Sequence, residues 1–194
     1  MSLHAYYHDN EGEDPGHPHH SSRSVSIREH LGSLGITITI IDGPDFEGNA
    51  RKIAKQQGYP LTEDSTFMWD FNDHSASSSF IRQHAREIGE GSRNENTFER
   101  FTIIPDYLAV ATLGSFYLDV EDPLKQTWIR SEIPAGTMLR FPAGIFTRLV
   151  PVKAKALMFM KAGSEIQVLW GNEAETSHVR QEYLKSLALG KFGP

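Results

Sequence analysis

The stretch FPAGIFTRL, residues 141–149, decides how the second half of the chain folds. Its Pro142-Ala143-Gly144 turn leads directly into an apolar strand, an arrangement that is typical of small β-barrels. The surrounding sequence has the same pattern: from about residue 97 onward, short apolar or alternating runs follow one another, separated by turn residues. Strands this short and this regularly spaced predict an antiparallel barrel or a double-sheet jelly roll.

The segment before the barrel is predicted to form an irregular arm and a helical lobe. A short strand near residues 3–7 precedes an arm rich in Gly, Pro, His, Asp and Ser. Ser26 followed by Glu29 is a capping-box signature for a short helix, which would end at Gly35 before an alternating strand, ITITIID. Two further helices are predicted at residues 49–57 and 79–88.

The chain is predicted to form one structural domain, mainly β with flanking helices. The arm and helical lobe occupy residues 1–96, the barrel residues 97–172, and a C-terminal helix residues 173–194. That last helix would turn one apolar face inward, made of Val179, Tyr183, Leu184 and Leu187.

Composition excludes several kinds of partner and chemistry. The 194 residues carry a formal net charge of −6, and no basic block is present, so neither nucleic acid nor an anionic membrane is an expected partner. The absence of cysteine excludes disulfides and thiolate catalysis and is compatible with a cytoplasmic protein. No apolar run is long enough to predict a membrane span.

Two spacings in the predicted barrel resemble the motifs of cupins. Gly136, the Pro142-Ala143-Gly144 turn and Thr147 have the spacing of the second cupin motif, except that threonine stands where cupins have histidine. The first motif has His, His, Glu and Gly at positions that are here Phe101, Ile103, Tyr107 and Gly114. Together with PHHSSRSVSIREHLGSLG, LGSFYLDV, TWIR and QEYL, these segments resemble the acireductone dioxygenase family over nearly the whole chain.

The resemblance implies a metal site whose ligands are replaced in this sequence. The family holds one Fe(II) or Ni(II) through three histidines and one glutamate on the inner wall of a cupin barrel. By position, these ligands fall on residues that are not ordinary ligands of a divalent metal, namely Phe101, Ile103, Tyr107 and Thr147. An arginine that the family has two residues after the glutamate is here Ala109.

No other histidine in the predicted barrel can take over this role. The nine histidines stand at positions 4, 8, 17, 19, 20, 30, 74, 84 and 178. None of them lies within residues 85–177, which contain the predicted barrel. The HPHH cluster at residues 17–20 is interpreted as having an adventitious or structural role, and the Asp73-His74 pair and His84 are interpreted as surface groups. We expect neither a bound metal nor another cofactor.

Strand alternation should turn the four replaced positions into the barrel, with Asp106 and Arg148 facing away. In one interpretation these residues fill the former metal cavity as ordinary core. In the other they line a mostly apolar pocket in which Tyr107 and Thr147 are the catalytic polar groups. Substrate would then be contacted by Phe101, Ile103, Phe116, Arg140 and Trp170.

Three functional hypotheses follow from this sequence. The first is a metal-independent enzyme of specialised metabolism that performs an isomerisation, cyclisation, dehydration or pericyclic step on a small apolar carbonyl compound. The alternative is a non-catalytic cupin that binds a small molecule or serves as a regulatory partner, and the second alternative is a metal-dependent dioxygenase with non-standard ligands. An open pocket containing Tyr107 would favour the enzyme, whereas an interior filled by side chains would favour the non-catalytic protein. The sequence is also compatible with a homodimer formed through an exposed sheet edge, but no feature of it demonstrates one.

Overall fold

The fold is mainly β, as the sequence predicts. The protein is described by a computed structural model over residues 3–8, 24–70, 75–76, 100–161 and 166–192. Within these ranges the strands are β1 (Ala5–His8), β2 (Ser24–Val25), β3 (Thr37–Ile40), β4 (Thr66–Asp70), β5 (Ser75–Ala76), β6 (Phe101–Ile104), β7 (Tyr107–Asp122), β8 (Thr127–Pro134), β9 (Thr137–Phe141), β10 (Thr147–Met160) and β11 (Gln167–Trp170). The helices in the same ranges are α1 (Ile27–Ser33), α2 (Phe46–Gln56), α3 (Gly171–Thr176) and α4 (His178–Ala188).

Two long strands, β7 and β10, organise the antiparallel sheet. They pair with each other along most of their length, and the shorter strands attach to either half of them. The first part of β7 pairs with β9 over residues 107–110, and its second part pairs with β8 over residues 115–122. Gly114, at the change of partner, has a φ of 70°, which glycine adopts without steric cost. Likewise, β10 pairs with β6 near its start and with β4 near its end.

Alternation along the strands separates the barrel interior from a second core outside it. On β7, Tyr107 and Ala109 belong to the interior cluster, whereas Leu108 and Val110 belong to the outer one. The outer cluster also contains the small buried residues of α2, Ala50 and Ala54. This period of two is what a strand buried on both faces requires. The interior cluster takes side chains from β1, β4, β6, β7, β8, β9 and β10 and is closed by α1 and α4.

The N-terminal segment differs from the predicted helical lobe because part of it joins the barrel sheet. β1 pairs with β8, β3 with β9 and β4 with β10. The predicted strands near residues 3–7 and after Gly35 are therefore sheet strands of the barrel itself. The helix predicted at residues 79–88 lies outside the described residues.

Both predicted N-terminal helices are present within the described residues, but their first turns differ from the prediction. The Ser26 side chain makes no capping hydrogen bond. The backbone carbonyl oxygen of Ser26 is hydrogen-bonded to the His30 ring, at 3.0 Å. The second helix begins at Phe46, three residues before the predicted start. It does so because the Asp45 carboxylate caps it by accepting a hydrogen bond from the Gly48 amide at 2.8 Å.

The Pro-Ala-Gly turn is held between β6 and α4. The Gly144 amide donates to the Thr102 hydroxyl at 3.0 Å, and the Gly144 carbonyl accepts from the Arg180 guanidinium at 3.2 Å. Gly144 has a φ of 87°, and a Cβ placed there would lie 2.6 Å from the Val179 carbonyl oxygen. Glycine is therefore required by both the backbone conformation and the close approach of α4.

The buried face of α4 differs from the predicted apolar face. Tyr183 and Leu187 are buried as predicted, but Arg180 is buried with them and Val179 is only half-buried. The Arg180 guanidinium pairs with Glu121 and lies 4.1 Å from the centre of the Phe146 ring. A charged side chain can be buried at this position because it is paired and stacked. None of the helices in the described ranges is long and apolar enough to cross a membrane.

Candidate functional site

The four positions that correspond to metal ligands in the family come together inside the barrel. Phe101 and Ile103 lie on the same face of β6, Tyr107 begins β7 and Thr147 begins β10. Phe101 is paired with Thr147 across the sheet. The four residues are 0%, 4%, 5% and 2% exposed, respectively. All four residues are therefore buried.

Tyr107 and Thr147 form the polar pair of this interior. Their side chains are hydrogen-bonded to each other. The Tyr107 ring stacks on Phe141, with the ring centres 4.7 Å apart and the planes inclined by 13°. Burial raises the pKa of the Tyr107 phenol well above its ordinary value, and the hydrogen bond with Thr147 offsets only part of that rise. The phenol is consequently neutral at physiological pH and can act as a hydrogen-bond donor.

Two more of the predicted contact residues adjoin these four. Phe116 is 3% exposed and belongs to the same interior cluster. The Trp170 ring lies 5.1 Å from the Phe101 ring and packs against the cluster from β11, where it is only partly buried. The interior around Tyr107 and Thr147 is therefore occupied by aromatic and aliphatic side chains in mutual contact.

Arg140 lies on the opposite side of its strand from this interior. Its neighbours on β9, Leu139 and Phe141, belong to the interior cluster, so alternation turns Arg140 outward. Its guanidinium donates to the Asp106 carboxylate at 3.2 Å. Arg148 also faces away from the interior, with its guanidinium 3.7 Å from the centre of the Trp128 ring.

The outward-facing Arg140 borders a groove that the sequence alone did not reveal. One hollow of about 300 Å³ is lined by Thr37, Gln57, Tyr59, Arg140 and Lys161. A second hollow of about 290 Å³ shares Thr37 and Arg140 with the first and is also lined by Gly32, Gly35, Asp106, Pro142 and Phe192. We call these two hollows together the lateral groove. Its residues come from six separate chain segments with no common motif, so no sequence pattern pointed to it.

Comparison with known proteins indicates what the barrel is related to. No protein-family model matches the chain. Acireductone dioxygenase 3 of Physcomitrium patens is 27% identical over 188 residues, covering 94% of this chain and 84% of that protein. Acireductone dioxygenase of Xenopus laevis is 25% identical over 193 residues, covering 96% and 98%, respectively.

A solved structure agrees with these relatives at the level of the fold. It is an acireductone dioxygenase from Bacillus anthracis with a cadmium ion in its active centre, similar with a TM-score of 0.51 at 8% identity over 83% of this chain and 94% of that one. Over nearly its whole length the chain is similar to acireductone dioxygenases. Its barrel is accordingly a cupin barrel.

The metal that similarity to acireductone dioxygenases implies does not fit the residues present. Phe101 and Ile103 carry no atom that can donate a lone pair to a metal. Tyr107 and Thr147 are neutral, buried and hydrogen-bonded to each other. Ala109, at the position of the family's arginine, is a buried interior residue without charge. The chemistry of this donor set is that of a packed core and not of a divalent metal site.

Other candidate ligands do not supply a replacement within the described part of the chain. There, no group of three or more His, Asp or Glu side chains could hold a metal ion. The HPHH cluster at residues 17–20, Asp73, His74 and His84 lie outside the described residues.

Proposed function

We propose that this acireductone dioxygenase-like cupin is a non-catalytic protein whose barrel serves as a packed scaffold. The observation that supports this proposal is the burial of the four former ligand positions, none of which is more than 5% exposed. A substrate-sized cavity would leave accessible surface on the side chains that line it. Here those side chains contact one another instead.

The four replaced residues together avoid a buried, unpaired charge in the barrel interior. A glutamate left in this interior without its metal would be a buried and unpaired charge, which costs several kcal/mol by the usual estimates. A tyrosine at the same position loses the charge and satisfies its hydroxyl through Thr147. Phenylalanine and isoleucine at the two histidine positions of β6 extend the apolar packing. The complete replacement thus favours a stable interior without metal.

Metal analysis tests this proposal directly. The protein, purified without an affinity tag, is analysed for iron, nickel and zinc by mass spectrometry and assayed for consumption of acireductone with Fe(II) or Ni(II) added. We expect far less than one metal ion per chain and no turnover. A variant with His17, His19 and His20 changed to Gln serves as the control for adventitious metal at the HPHH cluster. One metal ion per chain that persists in this variant, or turnover of acireductone, would contradict the proposal.

A second candidate function is a metal-independent enzyme that uses Tyr107 and Thr147. The observation that favours it is the pairing of two hydroxyl groups inside an otherwise apolar interior, with the Tyr107 phenol kept neutral. A neutral phenol can donate a hydrogen bond to a carbonyl oxygen and polarise it. Such a reaction would require the interior to open for a small carbonyl compound, which would displace Thr147 from Tyr107.

Ligand-induced stabilisation separates the two candidates. Cyclohexanone, a small apolar ketone, is titrated while the melting temperature is recorded for the natural protein and for the variants Tyr107→Phe and Thr147→Val. The enzyme candidate predicts a saturable rise in melting temperature that Tyr107→Phe abolishes. A packed scaffold predicts no saturable rise in any of the three proteins.

A further inference from the structure

We propose that the lateral groove is a binding site for a small organic monocarboxylate. The first hollow carries the inference because every side chain that lines it can donate a hydrogen bond. A hydroxyl, an amide, a phenol, a guanidinium and an ammonium group converge there, and no carboxylate is among the lining residues. An acceptor-rich anion is the ligand that such a set would recognise.

Tyr59 is the strongest sign that this hollow is built for a ligand. Its side chain is only 3% exposed, and the Arg140 guanidinium beside its hydroxyl can only donate a hydrogen bond, so among the described residues no group accepts the proton of the Tyr59 hydroxyl. Burial raises the pKa of the phenol, whereas the nearby Arg140 guanidinium lowers it. A buried hydroxyl without an acceptor is destabilising, and a carboxylate in the hollow would accept its proton.

The local charge favours a ligand with a single negative charge. Asp106 faces two cations: the Arg140 guanidinium at 3.2 Å and the Lys161 ammonium at 3.8 Å. Its other oxygen is engaged by the Ala143 amide at 2.9 Å. Among the described lining residues, two positive charges against one carboxylate leave one positive charge uncompensated at the groove, in a chain whose overall formal charge is −6.

The second hollow suits an apolar tail on the same ligand. It shares Thr37 and Arg140 with the first hollow, and its lining also includes Phe192 and Pro142. Because Asp106 lies in this hollow, the carboxylate group belongs in the first one, next to Tyr59 and Lys161. With roughly 30 Å³ of liquid volume per water molecule, 300 Å³ has room for about ten non-hydrogen atoms. A short-chain fatty acid or a related monocarboxylate meets this size.

This inference adds a ligand class to the proposed non-catalytic function, but it depends only on residues outside the barrel interior. Metal analysis therefore tests the barrel and ligand titration tests the groove, so that either can fail without the other.

Calorimetric titration with sodium hexanoate tests the groove. We expect saturable binding of one hexanoate per chain that weakens as salt is added, because the Arg140 and Lys161 charges are partly exposed. Lys161→Gln and Arg140→Gln should each weaken binding about tenfold or more, the usual effect of losing a charge-assisted hydrogen bond. Tyr59→Phe should weaken binding while leaving all formal charges in place.

Two controls make this result decisive. Lys52→Gln removes another exposed positive charge, on α2, that lines neither hollow of the groove, and should leave hexanoate binding unchanged. Hexanol, which has the same apolar tail without the carboxylate, should bind far more weakly than hexanoate. The proposal is overturned if hexanoate does not bind, if hexanol binds equally well, or if Lys161→Gln and Arg140→Gln bind as the natural protein does.

Discussion

Truncation of Phe101 distinguishes a packed barrel interior from an open pocket. Phe101 is 0% exposed, and its ring contacts Trp170 at 5.1 Å between ring centres. In a close-packed interior, Phe→Ala removes the transfer free energy of the ring and leaves a cavity, at a cost of about 3–5 kcal/mol. If the ring instead bordered an open pocket, little packing would be lost and the free energy of unfolding would fall by less than about 1 kcal/mol.

Urea unfolding followed by tryptophan fluorescence and circular dichroism measures this change. A domain of this kind has a total stability of about 5–15 kcal/mol, so Phe101→Ala can approach the limit of folding. Phe101→Leu is therefore included as a milder variant, with an expected loss of about 1 kcal/mol. Leu113→Ala, at a position on β7 that is 55% exposed, is the control and should change stability by no more than about 0.5 kcal/mol. A loss for Phe101→Ala no larger than that of the control would refute the packed interior.

Three further variants test the contacts that surround this interior. The pKa of the Tyr107 phenol is raised in the folded protein from an ordinary value of 10.0, so as the pH rises this phenol ionises first in the unfolded chain. The free energy of unfolding should therefore fall above about pH 10, and it should fall less steeply in Tyr107→Phe. Urea unfolding across that pH range measures both. Gly144→Ala should lower the melting temperature more than Gly58→Ala. Both glycines have a positive φ, which costs an alanine about 1–2 kcal/mol, but only at Gly144 would the added Cβ also clash with backbone atoms. Asp119→Ala removes the carboxylate that pairs with the buried Arg130 guanidinium at 2.6 Å and should cost about 3–5 kcal/mol in urea unfolding. The double change Asp119→Ala with Arg130→Met should cost less than the sum of the two single changes.

Each of these expectations has a contrary outcome. If Tyr107→Phe and the natural protein lose stability equally above pH 10, Tyr107 is not the buried phenol responsible. If Gly144→Ala and Gly58→Ala cost the same, the contact with α4 is unimportant. If the costs of the Asp119 and Arg130 changes simply add, the two side chains are not coupled.

The strand pattern and the inward facing of the buried strand residues could be predicted because they depend on local sequence. Alternation on β7 places Tyr107 and Ala109 inward, and this follows from the pleat of any strand. The spacing of Phe101, Ile103, Tyr107 and Thr147 was enough to bring them together in the same barrel interior. Asp45 as the cap of α2 was missed even though that signal is also local.

The sequence by itself determined the barrel class, the facing of the strand residues and the absence of histidine from residues 85–177. Only the tertiary structure decided that the four inward-facing residues are at most 5% exposed, because packing depends on how distant strands approach one another. It also decided that Arg180 is buried, since its partner Glu121 lies 59 residues away. The lateral groove also depends on tertiary contacts, because Tyr59, Arg140 and Lys161 become neighbours only when three separate segments fold against one another. No periodicity along the chain predicts that these three residues lie together.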